Sequence, residues 1–294
     1  MKNKLLLLLF LLGVVFPLSA QESEVLISTS HTSLLLSTPQ GGELKFLYYG
    51  RKLTDADVHA VVSTESGSFS AYPVYGLNCP SESALSVQHE DGNMTLQMEV
   101  IGVETIHQEK ADLTVISLKD KVYPFYVKLC YKAYQDVDVI EAWTEISHKE
   151  KKNVKLNQFA SAYLPVRKGN VWLSSLYGAW ANEARLVQEP LEPGMKVIKN
   201  KDGVRNSHTA HAEVMFSLDG QPRENSGRVI GAALCYGGNY KLRIDTDESE
   251  YHHFYAGINE DNSVYHLKSG EVFKTPELAL TYSDEGPVSY THLR

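Results

Sequence analysis

The stretch Tyr123-Pro-Phe-Tyr-Val-Lys-Leu-Cys-Tyr-Lys-Ala-Tyr134 alternates large apolar with polar side chains, and no other feature limits the fold so tightly. A two-residue period suits a strand with one face buried and one wet, because successive side chains point to opposite faces. The pattern continues with Val139, Ile140, Trp143 and Ile146, then returns at residues 229–236, 240–244 and 278–282. Val, Ile, Thr, Tyr and Phe dominate these runs, as pleated and half-buried surfaces favour. Between the runs stand Gly41-Gly42, Asp91-Gly92-Asn93, Asp202-Gly203, Asp219-Gly220 and Gly237-Gly238-Asn239. Such residues accept the positive φ of tight turns, so these sites read as hairpins. After the N-terminal segment no apolar stripe of helical period exceeds three turns. Residues 179–187 have room for a turn or two of helix before Pro190 stops it. The expectation is an all-β protein built as a large antiparallel sandwich.

The first twenty residues stand apart. Lys2 and Lys4 precede an apolar run at residues 5–15, and Leu18-Ser19-Ala20 offers small residues for cleavage. This reads as a signal peptide over residues 1–20 with Gln21 as the mature start, so the protein is expected to be exported, periplasmic or extracellular. The run is shorter than the ~20 residues a spanning helix needs, so no membrane span is expected after cleavage. Losing Lys2 and Lys4 takes the formal charge from -8 to -10. An acidic product has no electrostatic attraction to nucleic acid or anionic lipid. Lys149-Glu150-Lys151-Lys152 reads as a solvated turn. Cys79, Cys130 and Cys235 are odd in number and widely spaced, which argues against a disulfide framework; one bridge is open, without a choice of partners. Cys130 and Cys235 lie in apolar runs and read as buried small hydrophobes.

One domain is expected over residues 21–286, followed by an atypical tail at 287–294. His208 and His211 form His-x-x-His in a polar setting, without the Glu and helix of a metalloprotease, so no metal or other cofactor is expected. Asp245-Thr-Asp247-Glu248-Ser-Glu250 lacks calcium-loop spacing and reads as a solvated hairpin tip. Glycosidases need two carboxylates flanking the scissile bond, and no acid here sits in a recognisable catalytic motif. Seventeen Tyr and three Trp are available. Aromatic rings stack on sugar faces, and the best-placed candidates are Trp180 in Gly178-Ala-Trp180 and Tyr72 and Tyr75 in Tyr72-Pro-Val-Tyr75-Gly76, where turns expose rings.

Several segments together resemble the N-terminal domain of glycoside hydrolase family 36, the bacterial α-galactosidases. They are Phe46-Leu-Tyr-Tyr-Gly50, Tyr72-Pro-Val-Tyr-Gly76, Gly178-Ala-Trp-Ala-Asn-Glu-Ala-Arg185 with Pro190-Leu-Glu-Pro-Gly194, Asn225-Ser-Gly-Arg-Val229, Tyr236-Gly-Gly-Asn239, Gly257-Ile-Asn259, Leu267-Lys-Ser-Gly270 and Thr281-Tyr-Ser-Asp-Glu-Gly286. The chain departs from the family pattern at Leu77-Asn-Cys-Pro-Ser-Glu82, after Asn206-Ser-His208, and after Gly257-Ile-Asn259. The resemblance implies a galactose-mutarotase-like β-supersandwich that packs on a catalytic (β/α)8 barrel, and a homo-oligomer when full length. It implies retaining hydrolysis of terminal α-galactosides, with both catalytic aspartates on the barrel and none at any position here. At Pro287 the sequence leaves the family pattern, and we expect a chain truncated before the barrel. The resemblance also implies that this domain can lend a loop to a neighbouring active site. Asp55 and Asp57, in the loop after Gly50, are the candidates, with Tyr72, Tyr75 and Trp180 as further rim candidates. Two other readings remain open: a stand-alone carbohydrate-binding sandwich centred on Trp180, and a mutarotase-like epimerase using His208 with Glu213.

Overall fold

The structure, a computed structural model, describes residues 23–38, 42–64, 69–76, 82–166, 168–205 and 208–287. The expected signal peptide, Cys79 and the tail beyond Pro287 lie outside the described residues. A small sheet comes first: β1 (Ser23–Ser28), β2 (Thr32–Thr38), β3 (Lys45–Arg51) and β4 (Phe69–Ser70), paired in that order. A helix, α1 (Asp55–Thr64), sits between β3 and β4. Next come β5 (Leu85–Gln88), β6 (Met98–His107), β7 (Ala111–Asp120), β8 (Phe125–Tyr134), β9 (Val139–His148) and β10 (Val154–Val166). Then follow β11 (Trp172–Tyr177), β12 (Arg185–Pro190), β13 (Gly194–Lys199), β14 (Ala210–Ser217) and β15 (Val229–Leu234). The last are β16 (Tyr240–Thr246), β17 (His252–Ile258), β18 (Tyr265–Leu267), β19 (Val272–Lys274) and β20 (Leu278–Ser283).

Two large antiparallel sheets result. One has ten strands, in the order β12-β11-β14-β15-β20-β9-β8-β7-β6, with β19 added beside β9. The other has six, in the order β13-β16-β17-β10-β18, with β5 beside β10. Alternation positions both inner faces. Val127, Leu129, Tyr131 and Ala133 of β8 point inward beside Ile140, Ala142 and Ile146 of β9, while Lys128 faces solvent. Phe216 of β14 meets Phe254 of β17 edge-on across the core, ring centroids 5.1 Å apart. Burying each ring contributes about 1.5–3 kcal/mol. Val25, Ile27, Leu34 and Leu36 of the small sheet join the same core. The fold is thus the all-β antiparallel supersandwich the pattern and the resemblance implied.

The turn signals divide into two kinds. Asp219-Gly220 joins paired strands β14 and β15, and Gly42 lies between paired strands β2 and β3. The other three join strands that do not pair. Asp91-Gly92 leads from β5 in the six-stranded sheet to β6 in the ten-stranded one, Asp202-Gly203 from β13 to β14, and Gly237-Gly238 from β15 to β16. Local sequence supplies a reversal; the core decides whether the next strand pairs or changes sheet.

Other expectations are corrected. Residues 179–184 are a tight turn and β12 starts at Arg185, so no helix forms there. The one-turn apolar content of that stretch is outweighed by edge pairing of β12 with β11, from Trp172↔Pro190 to Tyr177↔Arg185. In the segment at 149–152, Glu150 is turned inward and buried. Its carboxylate accepts from His89 Nδ1 at 2.8 Å and from the Glu90 N–H at 3.1 Å. Cys130 is buried as expected, but Cys235 is exposed; both are free thiols. The hairpin tip at 247–251 is as expected, with Glu248 and Glu250 in solvent. Asp247 accepts from the Ser249 and Tyr251 N–H groups, at 2.8 and 2.9 Å, and closes the turn.

Candidate functional site

The segment after Gly50 is helical where a loop was expected. Thr54 caps α1: its hydroxyl accepts from the Asp57 N–H at 3.3 Å, and Asp57 accepts in return from the Thr54 N–H at 2.9 Å. This reciprocal cap satisfies donors that a helix start leaves open. Asp55 and Asp57 also place negative charge against the positive end of the helix dipole. The hydrogen bonds from the Thr54 backbone and side chain hold the Asp57 carboxyl below its usual range. Both aspartates are exposed, and Asp57 is engaged in capping.

Contrary to expectation, Tyr72 is not exposed at a turn. It is buried, its hydroxyl donates to the Ala160 carbonyl at 2.7 Å, and burial pushes its ionisation well above the usual range. Tyr72, Pro73 and Val74 are buried in succession, and only at Tyr75, 51% accessible, does the chain turn out to solvent. Trp180 is 83% accessible at the tip of its turn. The Ala179 and Asn182 backbones exchange hydrogen bonds at 3.2 and 2.9 Å, and Glu183 accepts from the Ala181 N–H at 3.1 Å. Ala181 and Ala184 hold φ of 58° and 56°, in the left-handed region. Such conformations cost roughly 1–3 kcal/mol each and gather at functional positions. Gly178 makes the turn possible: a Cβ there would stand 2.7 Å from the Glu183 Cα. Leu186 follows on the edge strand, 60% exposed. His211, rather than His208, faces Glu213, with 3.6 Å between Nδ1 and Oε1.

One concavity was not anticipated. A cleft of about 410 Å³ opens between the small sheet and the sandwich, lined by Phe46, Leu47, Tyr48, Tyr49, Gly50, Phe69, Pro165, Val166, Lys168, Leu218, Arg228, Ile230, Tyr251 and Tyr282. All five residues of Phe46-Leu-Tyr-Tyr-Gly50 reach it. A register shift in the pairing of β2 with β3 interrupts strand alternation, with Leu35 opposite Tyr48 and Leu36 opposite Phe46. Gly50 leaves room for a ring, since a Cβ there would stand 2.8 Å from the Tyr48 hydroxyl. Tyr48 donates to the Arg51 carbonyl at 2.9 Å. Phe69 meets Tyr251 and His253 edge-on, each at 5.0 Å between centroids. His253 donates from Nε2 to Asp247 at 3.3 Å and accepts at Nδ1 from the Tyr163 hydroxyl at 2.8 Å, which fixes the ring below the cleft. The Lys168 ammonium lies 5.5 Å from the centre of the Tyr251 ring. Arg228 forks onto Asp219, with Nε 3.0 Å from Oδ2.

Among the described residues, the charges at the mouth are balanced. Burial, and then the charges of Asp57 and Asp284, raise the Tyr48 phenol against the opposing Arg51. Burial pushes Tyr282 up to about 12, helped by Tyr48, Asp284 and Asp219. Both phenols therefore keep their protons at neutral pH. The structure thus brings Asp57 to the cleft region and leaves Tyr75 and Trp180 elsewhere. The cleft residues come from separate stretches of the chain, and Phe69, Lys168 and Tyr251 carry no local signal. The remaining signal lay in the family-like segments: 46–50, 225–229 and 281–286 converge here. Gly286 donates to the Gly227 carbonyl at 2.9 Å, tying the last two together. Among the described residues no group of three or more His, Cys, Asp or Glu side chains is placed to hold a metal ion, and no helix is long and apolar enough to cross a membrane.

The fold is a large antiparallel supersandwich. Solved structures share it: the α-galactosidase of Lactobacillus brevis, with a TM-score of 0.82 at 23% identity over 90% of this chain and 40% of that one, and the AgaA α-galactosidase of Geobacillus stearothermophilus in complex with raffinose, with 0.84 at 22% over 90% and 41%. The family model for the glycosyl hydrolase family 36 N-terminal domain matches residues 42–268, and the chain belongs to that family. Among curated relatives it is 31% identical to the α-galactosidase Mel36A of Lactobacillus acidophilus over 182 residues, 62% of this chain and 25% of that protein. It is 26% identical to AgaA of Geobacillus stearothermophilus over 230 residues, 73% of this chain and 31% of that protein. The chain spans about a quarter to a third of the length of these curated relatives.

Proposed function

We propose that the chain is the non-catalytic N-terminal domain of an exported α-galactosidase, acting with a catalytic barrel that hydrolyses terminal α-galactosides. The observation that carries this reading is the family match over residues 42–268, together with relatives that are α-galactosidases three to four times as long as the matched region. Two surface features support a docking role. The strained turn presents Trp180, and β12, an edge strand of the ten-stranded sheet, exposes Leu186. Large exposed apolar side chains on a rigid frame mark interaction surfaces. The barrel, or a second copy in a homo-oligomer, covers them. The epimerase reading loses its residue pair, because His211 takes the place beside Glu213.

The test is hydrolysis of p-nitrophenyl α-galactoside, melibiose and raffinose by the purified chain, alone and joined in frame to a family 36 barrel. Turnover is expected only for the joined protein. Hydrolysis by the chain alone, well above a blank, would overturn the non-catalytic assignment. Export is checked by mass spectrometry of the secreted product, which is expected to start at Gln21.

A further inference from the structure

The cleft between the small sheet and the sandwich lies on a domain to which no chemistry is assigned, yet it has the attributes of a small-molecule site. Its volume of about 410 Å³ falls within the roughly 300–1,000 Å³ of such pockets. Phe46, Tyr48, Phe69, Tyr251 and Tyr282 line it and are all half-buried, so their rings are neither consumed by the core nor freely solvated. A packing defect would be lined by aliphatic groups and would stay dry. This cleft instead mixes aromatic faces with the hydroxyls of Tyr48, Tyr251 and Tyr282, the Lys168 ammonium and the Arg228 guanidinium.

That mixture selects a ligand class. A purely apolar guest would strip water from the Tyr251 and Tyr282 hydroxyls and the Lys168 ammonium without replacing those hydrogen bonds, which costs about 1–3 kcal/mol for each group left unsatisfied. Among the described residues an anion finds no excess of positive charge, because Arg51, Lys168 and Arg228 are matched by Asp57, Asp219 and Asp284, and Arg228 is already forked onto Asp219. A cation finds no excess of negative charge for the same reason. A molecule with apolar C–H faces and hydroxyl edges satisfies both kinds of wall. Its faces stack on the rings, and its edge hydroxyls pair with phenols and cationic N–H donors.

We propose that this cleft binds a neutral mono- or disaccharide in pyranose form, stacked on Tyr251 and Phe69 and bonded at its edges by Tyr48, Tyr282, Lys168 and Arg228. No bond is made or broken there. The site holds sugar on the N-terminal domain itself. It does not depend on the catalytic reading above, because binding is measured on the chain alone, which that reading expects to hydrolyse nothing.

The experiment is titration of the purified chain with galactose, melibiose and raffinose, followed by calorimetry and by saturation-transfer NMR. Saturable binding is expected. Tyr251→Ala should weaken it about fivefold or more, the equivalent of one lost stacking contact, while Tyr251→Phe keeps the ring and stays within about twofold. Trp180→Ala, on a separate surface, should also stay within about twofold. The proposal is overturned if the chain shows no saturable binding, if Tyr251→Ala binds as the parent does, or if Trp180→Ala abolishes binding. Thermal melting checks that Tyr251→Ala is folded. Should that variant unfold, NOEs from sugar protons to the Tyr251 ring, assigned by the resonance missing in Tyr251→Phe, decide the question; their absence from a saturated sample counts against the site.

Discussion

The Thr29 hydroxyl donates a 2.7 Å hydrogen bond to the Asp138 carboxylate across 109 residues of sequence. The same carboxylate accepts from the His31 N–H at 2.7 Å and from His31 Nδ1 at 2.5 Å. Asp138 sits in the β8–β9 turn at φ 49°, and Thr29 to His31 form the β1–β2 turn, so one side chain clasps the small sheet to the sandwich. Because the small sheet forms one wall of the cleft, this clasp also positions Tyr48.

Asp138→Ala should therefore loosen the small sheet and lower stability by roughly 1.5–3 kcal/mol at neutral pH, the worth of hydrogen bonds to a charged group. Burial opposes the charge, but the bonds from His31 and Thr29 prevail and hold the carboxyl below its ordinary value. A depressed folded pKa contributes stability that is complete above the unfolded value near ~3.9 and is lost as pH falls through the folded value. Thermal melts of parent and variant should thus converge as the pH drops below about 4. A gap that stays constant down to the acid limit would contradict this.

Tyr72→Phe removes the hydroxyl that satisfies the Ala160 carbonyl. A loss of about 1–2 kcal/mol in urea unfolding is expected, with sugar binding unchanged. A neutral effect on stability would restore Tyr72 as a candidate for surface work.

Gly178→Ala forces a methyl to within 2.7 Å of the Glu183 backbone. The clash involves main chain, so the turn must move, and a cost of about 1–3 kcal/mol follows. Trp180→Ala, by contrast, removes a side chain in solvent and should change stability of the isolated chain by less than about 0.5 kcal/mol. Comparing the two melts separates the turn's framework from the side chain it presents.

The thiols should differ in reach. Burial pushes the Cys130 thiol up to about 12, whereas Cys235, though also raised by partial burial, is exposed. Iodoacetamide at pH 8 followed by peptide mapping should modify Cys235 in the native protein and Cys130 only after denaturation. Early alkylation of Cys130 would mean that the β8–β9 region opens readily.

Much of the sandwich was legible because burial on one face imposes a period of two. The runs at 123–134, 229–236, 240–244 and 278–282 became β8, β15, β16 and β20 within a residue or two. The helix α1 was missed because its apolar residues make no continuous stripe and only Val58 is buried; the Thr54–Asp57 cap was the signal that could have found it. Glu150 was misread because three lysines surround it, while its partner His89 lies 61 residues away. Tyr72 and Tyr75 share one motif, yet Tyr72 to Val74 pack inward and only the turn at Tyr75 reaches solvent.

By itself the sequence determined the strand-rich class, the places where the chain reverses and the family to which it belongs, since all three rest on local periodicity, turn chemistry and short motifs. Only the tertiary structure decided which reversals pair neighbouring strands and which change sheets, because Gly-rich turns permit either and the shared core chooses between them. It also decided that Phe46, Phe69, Tyr251 and Tyr282 meet, since a cleft is made by chain segments that only sheet packing brings together.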